Sequence, residues 1–430
     1  MKDTQIKKLI EAEKKRQKKV INLIASENYV SKDVLEALGS ELTNKYAEGY
    51  AGKRYYGGNE FSDKIENLCK ARALKLFGLS PKKWQVNVQP LSGSPANLAV
   101  YLGLLGADYA KGFVEPKKIM GMSLDHGGHL THGHKVSASG KFWLQVSYGV
   151  NKNTEQIDYE EIKKIAIKEK PDIIVAGYTA YPRKVDFKKF REIVDELNKL
   201  IHSKQSRGVE IRKHCYLMVD MSHFAGLVAG KAYPSPFDYA DVVTTTTHKT
   251  LRGPRSAMIF SRADLAIPNA KGEQKSISDL IDKAVFPGLQ GGPHLNQIAG
   301  VAVALAEAAR PEFKKYAKQI VKNADTLAKE LKKLGWKIIS GGTDSHLILV
   351  DVWNNGNPST VSGRPLSGRE ASDKLEAEGI IVNKNTIPNE TRSPMDPSGI
   401  RLGTAAETTR GKKEKDMIKI AQRIDKILRK

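Results

Sequence analysis

Short apolar runs and amphipathic segments alternate along most of this chain of 430 residues. The apolar runs have the length and the β-branched content of buried strands, and segments with helical spacing lie between several of them. This alternation predicts a mostly parallel sheet that is covered by helices. The predicted strands of the sheet lie at 85–89, 118–123, 142–148, 172–177, 216–220, 241–247 and 256–261.

Longer amphipathic patterns precede and follow the alternating region. They predict helices at 1–20, near 31–42, at 62–77 and, in one Ala-rich stretch, at 295–334. The last part of the chain carries shorter patterns, which predict strands near 337–340, 346–351 and 380–383 and helices at 368–378 and 411–428. These shorter elements are typical of a smaller α+β domain.

The boundaries between these patterns divide the chain into three parts. We expect an N-terminal helix and arm (1–30), a large α/β domain (31–285) and a connecting helix with a small α+β domain (286–430). The boundary near 285 is followed by the Gly/Pro-rich run FPGLQGGPH. The polar segment 202–214 predicts a surface insertion within the large domain.

Composition is that of a soluble globular protein, with 40% hydrophobic and 27% charged residues. No apolar run approaches the ~18 residues that a membrane-spanning helix requires, and the N-terminus lacks the apolar core of a signal peptide. Cys69 and Cys215 form neither a disulfide framework nor a zinc cluster, which agrees with a reducing compartment. We therefore expect a cytoplasmic protein.

The net charge of +22 raises the alternative of a nucleic-acid-binding protein. The lysines, however, are dispersed among glutamates in helical segments such as 311–334 and 411–430, and no basic stripe is interleaved with aromatic residues. This pattern favours a charged, solvated surface, which would also attract an anionic substrate or carrier. Only the net charge supports a nucleic-acid partner.

A lysine and an aspartate follow two of the predicted strands. In VVTTTTHKT (242–250), Lys249 lies at the carboxyl end of a strand, where α/β folds bind ligands. Desolvation there would favour the neutral amine, which can form a Schiff base with an aldehyde cofactor. In VDMSH (219–223), Asp220 could pair with a protonated ring nitrogen of that cofactor. The alternatives are a surface lysine and an aspartate helix cap.

The run SGSPAN (92–97) follows a strand and begins a helix. Ser92, Gly93 and Ser94 would offer hydroxyl and backbone N–H groups at a helix N-terminus, which is a common phosphate site. The GxxxxGK[ST] pattern of nucleotide-binding loops is absent, so that a single phosphate group fits better. The alternative is an ordinary serine N-cap.

Four histidines are clustered in LDHGGHLTHGH (124–134), at His126, His129, His132 and His134. Without an HExxH pattern or a neighbouring cysteine, the cluster favours a histidine ring stacked on a flat cofactor over a zinc site. We expect no metal, although zinc-dependent hydrolysis stays a rival.

Two further charged residues could act on a substrate. Glu48 lies between aromatic residues in YAEGY (46–50), and such surroundings can raise a carboxyl pKa towards the range of acid–base catalysis. Arg401, in GIRLGT, could clamp a substrate carboxylate with two parallel hydrogen bonds. A solvated glutamate and a structural ion pair are the alternatives. With the lysine, the aspartate and the phosphate site, these residues describe a pyridoxal-phosphate enzyme that acts on an amino acid.

With these residues and the runs around them, the chain resembles the serine hydroxymethyltransferase family. VVTTTTHKT and KYAEGY are highly specific for the family, and further matching runs are LIASENY, GKRYYGG, NVQPLSGSPAN, GGHLTHG, VDMSHFAGLVA, AVFPGLQGGP, ISGGTDSHL, VNKN and SGIRLGT. The resemblance implies a fold-type-I, aspartate aminotransferase-like pyridoxal-phosphate enzyme, usually a homodimer with active sites at the subunit interface. It also implies reversible transfer of the serine hydroxymethyl carbon to a reduced pterin, tetrahydrofolate or tetrahydromethanopterin, which leaves glycine and the methylene-carrier.

The resemblance also implies which residues form the active site. The catalytic residues would be Lys249, Glu48, His129, Asp220, His223, Tyr56 and His248. The residues that bind pyridoxal phosphate would be Ser92, Gly93, Ser94, His129, Thr179, Asp220, His223, Lys249 and, from the partner subunit, Gly292. The residues around the amino acid would be Ser26, Tyr56, Arg401 and, from the partner subunit, Tyr46 and Glu48. The pterin site would be lined by Leu124, Gly128, Leu130 and Asn385.

Individual roles follow from the same resemblance. Lys249 would hold the cofactor covalently, Asp220 would pair with the pyridinium nitrogen and His129 would stack on the ring face. His223 would lie near the ring oxygen. Glu48 would be the acid–base group in hydroxymethyl transfer.

A few positions depart from the family pattern. Thr179 stands where the family often has serine, and its hydroxyl can still hydrogen-bond the cofactor. His248, which matches a position linked to substrate and reaction specificity, is kept. The segment RSPMDPS (392–398) is unusual and borders the expected carrier site, so that the choice between the two pterins stays open.

Another fold-type-I enzyme, such as a threonine-aldolase-like lyase or an aminotransferase, is the main alternative. It would share the residues around the ring but not the glutamate of KYAEGY or the pterin site. A side activity on 3-hydroxy amino acids such as threonine is expected, because the same ring electronics serve retro-aldol cleavage.

Overall fold

The computed structural model describes residues 1–106, 116–203, 214–268, 274–353 and 365–430. Most of the predicted insertion, residues 204–213, lies outside this part of the chain. The helices that the structure describes are α1 (Thr4–Lys19), α2 (Lys32–Leu38), α3 (Glu60–Phe77), α4 (Gly93–Leu105), α5 (Ala138–Phe142), α6 (Tyr159–Glu169), α7 (Phe187–Ser203), α8 (Ala225–Ala229), α9 (Ile277–Lys283), α10 (Leu295–Ala308), α11 (Pro311–Lys333), α12 (Gly368–Ala377), α13 (Ala405–Thr409) and α14 (Glu414–Arg429).

The strands form one large sheet, one smaller sheet and three short pairs. They are β1 (Ile21–Asn22), β2 (Gly49–Tyr50), β3 (Lys53–Arg54), β4 (Trp84–Asn87), β5 (Lys118–Met122), β6 (Leu144–Tyr148), β7 (Ile173–Gly177), β8 (Tyr216–Asp220), β9 (Val242–Thr246), β10 (Ala257–Arg262), β11 (Ala266–Pro268), β12 (Gln274–Ser276), β13 (Lys337–Ile338), β14 (Leu347–Asp351), β15 (Ile380–Ile381), β16 (Asn383–Asn385) and β17 (Gly399–Gly403). The hairpins β2–β3 and β11–β12 were not predicted from the sequence.

The large sheet has the order β4-β10-β9-β8-β7-β5-β6. The strands from β5 to β9 pair in parallel, and only β10 runs antiparallel to its neighbours β9 and β4. Successive residues of β7 face opposite sides, where Ile174 packs in one apolar core and Ile173 and Val175 pack in another. The predicted α/β fold with a mostly parallel sheet is confirmed.

The small sheet, β13-β14-β17-β16, is antiparallel throughout. It packs on a separate apolar core that includes Ile348, Ile400 and Leu402. The N-terminal arm joins this part of the molecule, because β1 pairs with β15 and Leu23 is buried in the same core. The division at residues 30 and 285 stays a prediction.

The predicted helix at 295–334 is two helices, α10 and α11, and this prediction was wrong. Arg310 has extended backbone angles (φ −73°, ψ 149°) and precedes Pro311, the first residue of α11. A proline cannot continue a helix from its N-terminal side, because it lacks the N–H donor and excludes the preceding residue from the helical region. None of the helices in the described ranges combines the length and the apolar character that crossing a bilayer requires.

Candidate active site

A cavity of about 280 Å³ lies at the carboxyl ends of β8 and β9, beside the N-terminus of α4. Parallel strands present their carboxyl ends at one edge of the sheet, which is where α/β folds bind ligands. The residues that line it are Ser26, Glu27, Ser92, Gly93, Ser94, Asn97, His129, Tyr178, Thr179, Asp220, Ser222, His223, Thr246, His248, Lys249 and Arg255. The structure thus brings together ten of the residues that the sequence assigned to the site.

Lys249 lies in the turn that follows β9, and a hydrogen bond from the N-terminal arm fixes the backbone of this turn. Asn28 of the N-terminal arm donates a hydrogen bond to the carbonyl oxygen of Lys249 at 2.9 Å. The side chain is half-buried by surface area because it borders the cavity, but protein atoms surround its ammonium. Desolvation lowers the pKa of Lys249 to about 8, although the charge of Asp220 opposes this shift. Near physiological pH the ammonium still predominates, but the neutral, nucleophilic fraction is far larger than for an exposed lysine.

Asp220 is buried and stays ionised. Its carboxylate accepts hydrogen bonds from Asn97 Nδ2 at 2.9 Å, from His132 Nε2 at 3.2 Å and from the backbone N–H of Ser222 at 3.0 Å. Burial alone would raise the pKa of Asp220, but the hydrogen bond and the charge of His132 hold this pKa well below its usual range. The site thus contains a fixed negative charge that suits a cationic ring nitrogen.

His129 presents an uncharged ring to the cavity. Its Nδ1 accepts a hydrogen bond from the backbone N–H of Thr131 at 3.2 Å and lies 2.7 Å from the hydroxyl of the same residue. Burial and the neighbouring His132 lower the pKa of His129 to about 4. A neutral ring costs less to bury against a flat, apolar ring face than a cationic one would.

The N-terminus of α4 has the features of a phosphate site. Ser92 is the N-cap residue, but its side chain makes no capping hydrogen bond, so that the hydroxyl stays available in the cavity. Gly93 lies so close to β9 that a Cβ atom would be 2.7 Å from Cγ2 of Thr246. The arrangement argues against the alternative of an ordinary serine cap and favours binding of an anion by hydroxyl and backbone N–H groups.

Arg401 of β17 is a buried cation next to the cavity. Its Nε donates to Asn383 Oδ1 at 3.0 Å and its NH1 donates to the carbonyl oxygen of Thr179 at 2.7 Å. Within the described residues, no acidic side chain forms an ion pair with it. Burial lowers the pKa of Arg401 to about 10. A buried guanidinium with neutral partners only is suited to bind the carboxylate of a substrate.

The serine hydroxymethyltransferase family model matches residues 1–424. A serine hydroxymethyltransferase from Desulfotalea psychrophila is 50% identical over 427 residues, which are 99% of this chain and 88% of that protein. The chain belongs to the serine hydroxymethyltransferase family. This family consists of fold-type-I pyridoxal-phosphate enzymes that interconvert serine and glycine by transfer of a one-carbon unit to a folate-type carrier.

The cavity fits the cofactor of the serine hydroxymethyltransferases. It contains a lysine that can react as a neutral amine, a permanently ionised aspartate and a helix N-terminus with a free serine hydroxyl. His248 also lines the cavity, and its buried Nδ1 has no hydrogen-bond partner among the described residues. Burial and the charge of Lys249 lower the pKa of His248 to about 3, so that the ring is a neutral polar group beside the lysine.

A second group of predicted residues lies away from this cavity. Tyr46 donates a hydrogen bond to Glu48 Oε1 at 3.2 Å, and the rings of Tyr46 and Tyr56 are 5.3 Å apart in an edge-to-face arrangement. Gly292 lies against the Tyr46 ring beside a second cavity of about 320 Å³. Tyr56 was expected next to Ser26 and Arg401, but the structure places it with the residues assigned to the partner subunit.

The predicted pterin residues lie in two places. Leu124, Gly128 and Leu130 belong to the loop that carries His129, and Leu130 is exposed. Gly128 is packed so tightly that a Cβ atom would lie 1.9 Å from the carbonyl oxygen of Met122. Asn385 is on β16, which pairs with β17 beside Arg401. None of the four lines the cavity around Lys249.

Some residues of the site were missed from the sequence. Asn97 links Asp220 to Thr131 and also accepts a hydrogen bond from Thr244 Oγ1 at 2.7 Å. A buried asparagine inside the apolar helix α4 was the available signal. His132 was noticed only as one of four clustered histidines, and nothing in the pattern distinguished it as the partner of Asp220.

The other histidines of the cluster serve the backbone. Nδ1 of His126 accepts from the backbone N–H of Val150 at 2.8 Å, and Nδ1 of His134 accepts from that of Val136 at 3.4 Å. In the described ranges, no group of three or more histidine, cysteine, aspartate and glutamate side chains is arranged to hold a metal ion. The geometry offers no support to the zinc alternative.

Proposed function

We propose that the cavity around Lys249 is the site at which this enzyme interconverts serine and glycine, and that each active site is completed by a second subunit. One observation carries the proposal: a lysine with a pKa of about 8 shares the cavity with an ionised, buried aspartate and a helix N-terminus. The three groups match the aldehyde, the ring nitrogen and the phosphate of pyridoxal phosphate.

Bound pyridoxal phosphate would act as an electron sink for the bond that breaks at the substrate Cα. Lys249 would hold it as a nucleophilic amine, and Ser92, Gly93 and Ser94 would bind the phosphate. Asp220 would keep a proton on the ring nitrogen, because its carboxylate is ionised and fixed by Asn97 and His132. 

His129, Thr179 and His223 would orient the cofactor. The neutral ring of His129 lines the cavity and suits stacking on the ring face. His223 would face the ring oxygen, and Thr179, through its hydroxyl, would hydrogen-bond the cofactor. Supporting this arrangement, all three residues line the same cavity as Lys249.

Arg401 would bind the carboxylate of serine or glycine, with Ser26 beside the substrate. The guanidinium is already oriented by Asn383 and by the carbonyl oxygen of Thr179, so that little side-chain entropy would be lost on binding. Asp220 cannot take over this role, because its charge repels a carboxylate. The amino acid would thus lie between the small sheet and the large one.

We infer a homodimer in which Tyr46, Glu48, Tyr56 and Gly292 act in the cavity of the partner subunit. These residues form their own cluster and contribute nothing to the cavity of their own chain. Tyr46 and Tyr56 are 56% and 50% exposed, which is unusual for paired aromatic side chains unless another surface covers them. Glu48 would exchange a proton with the substrate hydroxyl, and His248 would act next to Lys249.

The carrier would bind beside the loop 124–130 and Asn385, and its identity is proposed only as tetrahydrofolate or tetrahydromethanopterin. The segment 392–398 packs next to this region, because Lys384 Nζ donates to the carbonyl oxygen of Met395 at 2.6 Å. Arg392 of this segment lies over the ring of Trp353 at 3.7 Å. We therefore expect the segment to influence which pterin is used.

A cytoplasmic location is also proposed. Cys69 and Cys215 are both buried thiols in the core of the large domain, which agrees with a compartment where thiols stay reduced. The division into an arm (1–30), a large domain (31–285) and a connecting helix with a small domain (286–430) is supported by the two separate apolar cores, although α10 packs in the core of the large domain. The arm, however, is attached to the small sheet.

The test is the visible absorbance of the purified enzyme with and without Lys249. The wild-type enzyme is expected to bind pyridoxal phosphate and to show a visible absorbance band. Lys249→Ala is expected to lose that band, and its rate of glycine formation should fall about 10⁴-fold. Adding glycine and then each reduced pterin to the wild-type enzyme identifies the carrier as the one that changes the spectrum. A Lys249→Ala enzyme that keeps the visible band and the rate would refute the assignment. Release of acetaldehyde from threonine measures the expected side activity.

A further inference from the structure

Behind the cofactor cavity, the ring of His223 contacts a second buried histidine. Nδ1 of His223 and Nε2 of His346 are 3.2 Å apart, and the ring centroids are 5.4 Å apart with the ring planes inclined by 29°, so that the rings meet at their edges. His223 is 2% exposed and His346 is not exposed at all. His223 follows β8 of the large sheet, whereas His346 directly precedes β14 of the small sheet. The pair therefore joins the two sheets at the active site.

We propose that His346 is a positioning residue of this enzyme, which orients the His223 ring towards the cofactor and determines which nitrogen of that ring carries the proton. This inference rests on the proposed role of His223 at the cofactor. No motif that was interpreted from the sequence assigned His346 any role.

The chemistry of the contact supports the proposal. Burial lowers the pKa of His223 well below its usual value, and Lys249, Arg401, His346 and His129 surround it with further groups that disfavour a positive charge. Burial, with Arg401 and Lys249, lowers the pKa of His346 to about 3. In a contact between two neutral imidazoles, one nitrogen donates and the other accepts. The role of Nδ1 in His223 then decides the role of its other nitrogen, Nε2, because a neutral ring carries one proton.

His346 is held in place by its backbone rather than by further polar side chains. Its carbonyl oxygen accepts a hydrogen bond from the backbone N–H of Thr404 at 3.0 Å, just after the strand that carries Arg401. Its Nδ1 is buried next to the backbone of Ala25 without a hydrogen bond of normal geometry. Within the described residues, the polar side-chain contact of His346 is therefore the one between its Nε2 and His223.

On the other side, the His223 backbone is tied to the catalytic lysine. Its carbonyl oxygen accepts a hydrogen bond from Thr250 Oγ1 at 2.9 Å, and Thr250 directly follows Lys249. A continuous series of contacts therefore runs from the strand of Arg401 through His346 and His223 to the turn of Lys249. A shift of the small sheet would therefore move the His223 ring relative to the cofactor, through the contact between His346 and His223.

Replacing His346 by glutamine and by asparagine separates the ability of the side chain to contact His223 from the mere presence of a polar group in the buried site. The glutamine amide extends about as far as Nε2, whereas the shorter asparagine amide does not reach His223, and both fill the site with a polar group. His346→Phe keeps the ring volume and removes both nitrogens. His223→Leu and the double variant H223L/H346F complete the set. Circular dichroism of each apo-enzyme establishes that it is folded.

The measurements are the visible spectrum of each holoenzyme across pH, the rate of pyridoxal-phosphate release, and kcat and KM for serine. We expect H346F and H346N to shift the spectrum or its pH midpoint, to release the cofactor faster and to lower kcat about tenfold, the effect of one lost hydrogen bond, with KM little changed. H346Q should restore the wild-type spectrum. In the His223→Leu background, H346F should have no further effect, because both residues act through one contact.

Two results would overturn the inference. Equal losses in H346N and H346Q, with unchanged spectra, would mean that His346 only packs against its neighbours. Additive losses in the double variant would mean that it acts independently of His223. If H346F does not fold, the comparison of the spectra and cofactor release rates of H346N and H346Q still tests the inference. A wild-type spectrum and cofactor release rate in His223→Leu would instead refute the proposed role of His223, a separate failure that the same set of variants identifies.

Discussion

The residues around Lys249 and those around Glu48 belong to one proposed active site, yet they differ in how deeply they are buried and in how many hydrogen bonds hold them. Asp220, next to Lys249, is 7% exposed and accepts three hydrogen bonds. In the part of the chain that the structure describes, Glu48 has one side-chain hydrogen-bond partner, the hydroxyl of Tyr46, and Tyr46 itself is exposed. Because the first group has its charges set by burial and by fixed partners, it is prepared within one subunit. In the proposed homodimer, the second group would acquire comparable surroundings from the partner subunit.

The largest expected effect concerns the division of the site between two chains. Glu48→Gln should lower the rate of serine cleavage by about 10³-fold, since a proton donor is lost, while cofactor binding stays normal. Co-expressing Glu48→Gln with Lys249→Ala should recover activity, because a mixed dimer contains one site with both residues intact. With random pairing, about a quarter of the wild-type rate is expected. The measurement is the rate of glycine formation by the purified mixture.

Two controls sharpen this experiment. The two variants should stay inactive when they are expressed and purified separately and then mixed under conditions that prevent subunit exchange. Gel filtration should show that each variant, the mixture and the co-expressed protein form the same dimer. If co-expression restores nothing while mixed dimers form, Glu48 and Lys249 serve the same subunit, and the contrast between the two clusters loses its explanation.

A smaller effect is expected at the substrate carboxylate. Arg401→Lys keeps the charge but loses the planar pair of donors, and so should raise KM for serine about 10²-fold. The absorbance of the bound cofactor should stay that of the wild type, because Arg401 does not line the cofactor cavity. Arg262→Lys is a matched control, since Arg262 pairs with Asp264 at an exposed strand end. An unchanged KM in Arg401→Lys would contradict the proposed role.

The smallest effect concerns the charge of Lys249. Its lowered pKa of about 8 means that the neutral amine predominates above that pH, so the rate at which apo-enzyme captures pyridoxal should rise up to about pH 8 and then level off. In Asp220→Asn the midpoint should move to lower pH, because the carboxylate that stabilises the ammonium is gone. A midpoint near ~10, that of an exposed lysine, would contradict the desolvated site. Stopped-flow absorbance across pH 6–11 measures both midpoints.

Local patterns predicted the large sheet well. The strands at 118–123, 172–177 and 216–220 were found within one residue of β5, β7 and β8, because continuous apolar runs between turn residues signal buried parallel strands. The boundary at 310 was missed although Pro311 marks it, because the Ala-rich pattern continues on both sides. The strand predicted at 142–148 begins two residues later, after the short helix α5.

Candidate site residues were predictable where the chemistry is visible in one short run. Lys249 after a strand, Asp220 at the end of another and Ser92 before a helix could each be interpreted from neighbouring residues. The same holds for Glu48 and Arg401, whereas Ser26 and Gly292 came only from the family resemblance. Asn97, His132 and His346 could not be found in this way. Each of them acts on a residue that is distant in the sequence, as with Asn97 and Asp220, which are 123 positions apart.

The amino-acid sequence by itself determined the elements, the strand ends that carry Lys249 and Asp220, and the membership of the chain in its family. Periodicity and turn chemistry act over a few residues and are therefore written into local sequence. The tertiary structure alone decided that Tyr56 lies with Tyr46, that the Ser92 hydroxyl is not used as a helix cap and that His346 contacts His223. These facts depend on which strands become neighbours and on how completely water is excluded between them, and burial of this kind sets the pKa of Lys249 as well.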